Sequence, residues 1–124
     1  MIELKIKPVS KPRMTQRDKW SSRPCVERYF KFKEELNLLW KEREVPERCY
    51  LIFFIPMPKS WSKKKKQEMN GKPHQQKPDL DNLVKAFFDS LLAEDSQIYE
   101  IKASKFWNTE GKILVEDLRE VDFI

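Results

Sequence analysis

Residues 49–55 read Cys-Tyr-Leu-Ile-Phe-Phe-Ile, a continuous apolar run that Pro56 and Pro58 end. An apolar run of this length, bounded by prolines, predicts a strand with both faces buried at the centre of a sheet. Half-buried strands are predicted where apolar and polar side chains alternate, at 2–7, 98–107 and 112–118. Between the last two, residues 108–111 (Asn-Thr-Glu-Gly) predict a hairpin loop.

Two amphipathic stretches predict the helices that cover this sheet. Apolar residues, Phe30 among them, recur at helical spacing in 26–43, and a stripe of Leu and Phe does so in 79–92. A lysine-rich stretch predicts a shorter helix with Ser60 as its N-cap and its end near Met69. The order of elements predicts an α+β fold: a single two-layer domain over 1–124, with a small mixed or antiparallel sheet flanked by helices.

Composition excludes several classes of protein. With 124 residues, 40% of them hydrophobic and 12% aromatic, the chain can bury one core without disulfides. Two glycines leave no Gly-rich phosphate loop, and two cysteines with one histidine leave no zinc-ligand spacing. No apolar run approaches the ~20 residues of a membrane span, and no apolar signal core opens the chain. We therefore expect a cytoplasmic protein with no membrane partner.

Charge is divided unevenly along the chain, whose net charge is +5. Residues 59–77 hold seven lysines and one glutamate, whereas residues 78–124 hold five basic and eleven acidic side chains. Basic side chains that contact phosphates release condensed counterions, so two basic loops, 8–24 and 59–77, favour a nucleic-acid partner. A solvated loop without function explains the lysine run alone about equally well. The candidate phosphate contacts are Arg13, Arg17, Lys63, Lys64, Lys65, Lys66, Lys72 and Lys77.

The sequence KPDLDN at 77–82 places two acids at the start of the second long helix. Asp79 takes the N-cap position, where its carboxylate can turn beside that of Asp81. Lys85 follows Asp81 by four residues and therefore lies on the same face of the helix. Helix capping is the plain explanation for Asp79 alone, and an ion pair within the helix is the plain explanation for Lys85.

Two more acids, Glu94 and Asp95, follow the end of the same helix. Carboxylates from two segments of the acidic stretch 79–95 can therefore converge. Mg²⁺ prefers such oxygen ligands, and it takes only a few carboxylates together with waters and substrate phosphates. A Mg²⁺ site activates a water and offsets the charge that grows on a phosphodiester. An acidic metal site within a basic protein is what a metal-dependent nuclease requires.

These motifs together resemble a known family. KPDLDN, the helix VKAFFDSL behind it, EDSQI at 94–98 and the later Lys105 are similar to the RusA-like Holliday-junction resolvases, endodeoxyribonucleases of bacteria and phages. The stretch SWSKKKK…GKPHQQ resembles the basic loop of that family. The resemblance covers most of 50–106 and the basic, proline-containing start of the chain.

The resemblance implies a small homodimer that binds four-way DNA junctions and makes paired, Mg²⁺-dependent nicks. Two symmetric nicks also suit an isologous dimer with one site in each subunit. The implied catalytic residues are Asp79, Asp81, Lys85 and Asp95, of which the three aspartates are the metal ligands. Many members have an aspartate where this chain has Glu94, so the ligand role carries over firmly only to Asp95. His74 lies in the matching basic loop and is a candidate phosphate contact, while a lone histidine is more often structural.

Two alternatives stay open on the sequence alone. Asp79 followed by Glu100 and Lys102 matches the PD…ExK spacing of restriction-type nucleases, and a strand would turn Glu100 and Lys102 to the same side. A protein that binds DNA junctions or single strands without cleaving them explains the basic half. That second alternative leaves the acids without a role.

Overall fold

The computed structural model describes residues 1–13 and 23–119 of the chain. Within them the elements are, in order, β1 (Ile2–Leu4), α1 (Pro24–Trp40), β2 (Arg48–Pro56), α2 (Lys63–Met69), α3 (Leu80–Leu91), β3 (Glu100–Asn108) and β4 (Lys112–Asp117). This order is the predicted one, and the α+β fold with a small mixed sheet is confirmed. None of the described helices is both long and apolar enough to cross a membrane.

The apolar strand β2 lies inside the sheet, whose strand order is β1-β4-β2-β3. It pairs in parallel with β3 and antiparallel with β4, while β4 pairs antiparallel with β1. The predicted hairpin between β3 and β4 is therefore wrong. The two strands lie on opposite sides of β2, because this strand has buried backbone groups to satisfy on both of its edges.

The connection from β3 to β4 crosses the end of β2, where the Met57 amide donates to the Asn108 carbonyl at 3.1 Å. Gly111 in this connection passes close to the amino-terminal segment. A Cβ atom at Gly111 would lie 2.8 Å from the Cα of Lys7, closer than side chains pack. Glycine is therefore required there by the close approach of two backbones.

One face of the sheet is buried beneath the helices, and the other is open. Side chains alternate along β2, so Cys49, Leu51, Phe53 and Ile55 are buried, while those between them are only half-buried. The prediction that β2 is buried on both faces is thus correct for one face only. Phe87 of α3 belongs to the same core.

Register assigns each residue of β3 to one of these faces, because residues paired across neighbouring strands point to the same side. Lys105 pairs with Phe53 and therefore lies on the helix-covered face. Glu100 and Lys102 pair with Arg48 and Tyr50 and therefore lie on the open face.

Two local predictions differ from the structure. The N-cap of α2 is Ser62, whose hydroxyl accepts a hydrogen bond from the Lys65 amide at 3.1 Å, and not Ser60. In α1, Phe30 is 50% exposed although helical spacing groups it with the apolar face, and Phe32 takes the core position instead.

Candidate active site

Asp79 occupies the predicted N-cap position of α3 but does not cap the helix. Its backbone is extended, with φ −69° and ψ 143°, and its carboxylate accepts no hydrogen bond from the first turn. Asp81, in that first turn, is exposed as well. Neither carboxylate has a hydrogen bond or an ion pair with any described residue. The capping explanation of Asp79 is therefore wrong.

One face of α3 lines an open cleft with the amino-terminal segment. The cleft residues are Lys11, Pro12, Arg13, Asn82, Lys85, Asp89 and Asp95. The structure thus brings together Lys85 and Asp95, two of the predicted site residues, with Arg13, a predicted phosphate contact. Asp79 and Asp81, at the start of α3, are not among the residues that line this cleft.

Lys11 fastens the amino-terminal segment to α3. Its amide donates to the Asn82 carbonyl at 3.1 Å, and its ammonium donates to Oδ2 of Asp89 at 2.5 Å. The hydrogen bond with Asp89 is the main reason that the pKa of Lys11 is raised, and the charge of Asp95 adds to the effect. Lys11 and Asp95 both line the cleft. Sequence reasoning missed this role of Lys11, whose only signal was its place in the basic, proline-containing start.

Asp95 lies beyond the end of α3, where the Ile98 amide donates to its carbonyl at 3.0 Å. Its side chain is exposed and, within the described residues, accepts no hydrogen bond. Glu94 beside it is exposed too.

The three aspartates Asp79, Asp81 and Asp95 are suitable ligands for Mg²⁺. They are called the α3 acids below because they lie at the two ends of α3, and the name does not include Asp89. They are hard oxygen donors, and no protein cation is bonded to them within the described residues. In residues 1–13 and 23–119, no three His, Cys, Asp or Glu side chains stand close enough together to hold a metal ion. Mg²⁺ sites commonly need only one or two carboxylates, with waters and phosphate oxygens as the other ligands.

The basic loop at 71–78 attaches to the outer edge of β3 before it enters α3. The Trp107 amide donates to the Lys72 carbonyl at 2.9 Å, and the His74 amide donates to the Lys105 carbonyl at 3.1 Å. The loop therefore runs along β3 like a short extra strand. It ends at Pro78, directly before Asp79.

His74 is part of the core and not of the surface. It is 3% exposed, and its ring centroid lies 4.2 Å from that of Trp107. Burial, helped by the charge of Lys105, lowers the pKa of His74 below its ordinary 6.5. The ring atom Nδ1 is buried and has no hydrogen-bond partner among the described residues. The structure thus places His74 in the core, as the structural alternative has it, and its contact with phosphate stays an untested prediction.

The other predicted DNA contacts are largely on the surface. Those that are exposed are Arg13, Lys63, Lys64, Lys65, Lys72 and Lys77, and Lys66 is half-buried. The ammonium of Lys65 lies 4.3 Å from the ring centroid of Trp61. Arg17 lies outside the described residues.

The restriction-type alternative does not form one site. Glu100 and Lys102 do face the same side of β3, as predicted, but that side is the open face, whereas Asp79 begins a helix of the other layer. Glu100 is bound by the guanidinium of Arg48, and the ammonium of Lys102 lies 4.7 Å from the ring centroid of Tyr50.

Within the part of the chain that the structure describes, the α3 acids form no ion pair and the basic loop at 71–78 leads into Asp79, an arrangement compatible with a metal-dependent nuclease. A family model described as Endodeoxyribonuclease RusA matches residues 5–116, nearly the whole chain. The chain belongs to this family, as the resemblance implied. The matched range includes both basic loops and all of the α3 acids.

One relative is the Uncharacterized protein YqaN of Bacillus subtilis (strain 168). It is 42% identical over 76 residues, an alignment that covers 55% of this chain and 53% of the relative. The chain therefore spans about half the length of the curated relative that it matches. No solved structure matches the chain significantly.

Proposed function

We propose that this chain is a Mg²⁺-dependent endodeoxyribonuclease that resolves four-way (Holliday) DNA junctions by paired symmetric nicks, as a homodimer, in DNA recombination and repair. The observation that carries the proposal is that the α3 acids keep carboxylates to which no described cation is bonded, in a chain of net charge +5. Acids at a surface that meets DNA repel the phosphates unless a cation lies between them. Membership of the RusA endodeoxyribonuclease family supports the same reaction.

The roles follow from chemistry and position. Asp79, Asp81 and Asp95 are the candidate ligands, and since no three described acids stand close enough together to hold an ion, one or two of them would hold Mg²⁺ together with waters and phosphate oxygens. The bound ion would supply an activated water and offset charge on the phosphodiester. Lys85 is exposed on the wall of the cleft that Asp95 also lines. Its ammonium is therefore free to bind a phosphate oxygen of the strand being cut and to stabilise the charge that develops there.

The basic residues around this site bind the arms of the junction. Lys72 and Lys77 lie on the loop that leads directly into Asp79, and Arg13 lies in the cleft itself. Contacts of this kind position the duplex without reading its sequence. Two nicks at symmetric positions need two sites, which an isologous dimer supplies with one site in each subunit.

The proposal is tested by incubating the purified protein with a labelled synthetic four-way junction and with a matched linear duplex, each with Mg²⁺ or with EDTA. We expect paired, symmetric nicks in the junction alone, and no nicks in EDTA. The control variant Asp81→Asn should bind the junction at least as tightly as the wild type, because a repelling charge is removed, yet make no nicks.

Two results would contradict the proposal. Tight binding of the junction without nicks under any divalent metal would leave a DNA-binding protein. Equal cleavage of the junction and of the linear duplex would leave a nuclease that does not recognise branched DNA.

A further inference from the structure

Lys105 uses its charge in an unusual way for a strand residue. It is half-buried on the helix-covered face of β3, and its ammonium donates to two backbone carbonyls, Gln76 at 2.6 Å and Pro78 at 2.7 Å. Within the described residues, no carboxylate is bonded to it. Its ammonium therefore stabilises the loop through backbone carbonyls and not through an ion pair.

The two carbonyls lie immediately before Asp79, the first residue of the acidic site proposed for the α3 acids. Pro78 directly precedes Asp79, and Gln76 lies two residues further back. Asp79 makes no capping hydrogen bond of its own, so its side chain does not fix the entry into α3. The two peptide carbonyls ahead of it are instead held by the Lys105 ammonium. Hydrogen bonds from a charged donor are shorter and stronger than neutral ones.

We propose that Lys105 is a positioning residue of the acidic site: by tying the loop at Gln76 and Pro78 to β3, it sets where the carboxylate of Asp79 stands. The inference rests on the proposed function, because the position of Asp79 matters most for the cation that it would hold. Groups that orient a metal ligand without touching the metal commonly control its affinity.

A direct contact between Lys105 and DNA is the competing explanation. An ammonium has three N–H donors, and two of those of Lys105 are already committed to carbonyls. The exposed Lys63, Lys64 and Lys65 make no comparable backbone contacts through their ammonium groups. The structure therefore favours positioning over phosphate binding for Lys105.

The test compares Lys105→Met with Lys112→Met. Both substitutions remove one positive charge from a half-buried strand lysine and keep an apolar stem. Lys112 is a suitable control because its ammonium makes no backbone contact near Asp79: it lies over the ring of Phe54, 5.0 Å from the centroid, on the open face of the sheet, and 3.9 Å from Oε1 of the exposed Glu3. Three quantities are measured for each variant: Mn²⁺ affinity of the free protein by calorimetry, junction affinity in EDTA, and the single-turnover rate of nicking.

Lys105→Met should weaken Mn²⁺ binding by about tenfold and slow nicking in parallel, whereas Lys112→Met should change neither. Junction affinity in EDTA should fall equally in the two variants, because each loses one charge. Lys105→Arg, which can still donate to both carbonyls, should restore most of the Mn²⁺ affinity. If thermal unfolding shows that Lys105→Met is not folded, Lys105→Gln, which keeps an amide donor, takes its place with the same expected direction.

The outcomes separate this inference from the proposed function. Wild-type Mn²⁺ affinity in a folded Lys105→Met overturns the inference while the nuclease proposal stands. A larger loss of junction affinity in EDTA than Lys112→Met shows overturns it too, since Lys105 would then contact DNA. If the wild type binds no Mn²⁺ and makes no nicks, the proposed function fails and the inference falls with it.

Discussion

Two groups of acidic side chains in this molecule differ in whether a basic side chain of the protein binds them. Where β2 and β3 begin and β4 ends, arginines bind the acids: Glu100 is bound by Arg48, and Asp117 and Glu44 each lie 2.7 Å from a nitrogen of Arg119. Glu44, Glu100 and Asp117 are called the arginine-bound acids here. The α3 acids have no such partner within the described residues.

The difference indicates which acids serve the fold and which are available for chemistry. Hydrogen bonds from Arg119 hold the pKa of Asp117 below its usual value, so the protein itself already stabilises that anion. A carboxylate in this state has little to gain from a metal ion. No described cation is bonded to the α3 acids, so a metal ion could bind them without displacing a protein side chain.

Removing one acid from each group is the strongest way to break this comparison. Asp95→Asn should lower the rate of junction nicking by about a hundredfold or more, because it removes a proposed metal ligand, and should leave junction binding intact. Glu100→Gln should leave the rate unchanged, because Arg48 already binds that carboxylate. Single-turnover nicking with Mg²⁺ measures both variants.

The opposite result has a clear meaning. If Glu100→Gln abolished nicking and Asp95→Asn did not, the unpaired state of an acid would be no guide to its function. The restriction-type pattern of Asp79, Glu100 and Lys102 would then have to be reconsidered despite the register of β3.

Local patterns were sufficient to predict the elements and the position of Asp79 at the start of α3. The apolar run at 49–55 predicts β2, the stripe in 79–92 predicts α3, and proline before an aspartate predicts the N-cap at Asp79. Each of these signals lies within a few residues of the feature that it predicts. The family resemblance in KPDLDN and EDSQI was recognisable for the same reason.

Features that depend on distant parts of the chain could not be predicted. Strand pairing is one of them, since nothing in residues 108–111 indicates that β2 inserts between β3 and β4. The contact between Lys11 and Asp89 joins residues 78 positions apart. His74 is polar and lies among lysines in sequence, and only the fold reveals that its ring packs at a tilt against Trp107.

The basic loop at 71–78 carries His74, whose burial makes the stability of the protein depend on pH. His74 is the one histidine of the chain, and its pKa in the folded protein lies below 6.5, chiefly because it is buried. Below that pH the unfolded chain takes up a proton more readily than the folded one, so acid favours unfolding. The free energy of unfolding contributed by His74 is complete above 6.5 and decreases as the pH falls through 6.5 towards the folded pKa.

Urea unfolding from about pH 8 to about pH 5 measures this effect, with His74→Phe as the variant that cannot titrate. Stability should fall more steeply on acidification in the wild type than in His74→Phe. Because the chain has one histidine, its ring signals in NMR also report the pKa directly. A pKa at or above 6.5 would contradict the buried, neutral state and favour His74 as a phosphate contact.

Asp89 is the intermediate case and supplies the smallest expected effect. It lies on α3 and lines the cleft, yet it is paired with Lys11 in the way that the arginine-bound acids are paired. Both side chains are about one-third exposed, 35% for Lys11 and 31% for Asp89, so water screens their attraction. A double-mutant cycle of Lys11→Met and Asp89→Asn, measured by urea unfolding, should give a coupling of about 0.5 kcal/mol that decreases with added salt.

If pairing marks the acids that serve the fold, Asp89→Asn should retain far more nicking than Asp95→Asn does. No coupling, together with nicking lost as completely as in Asp95→Asn, would instead place Asp89 among the acids that bind the metal, and pairing would no longer separate the two groups.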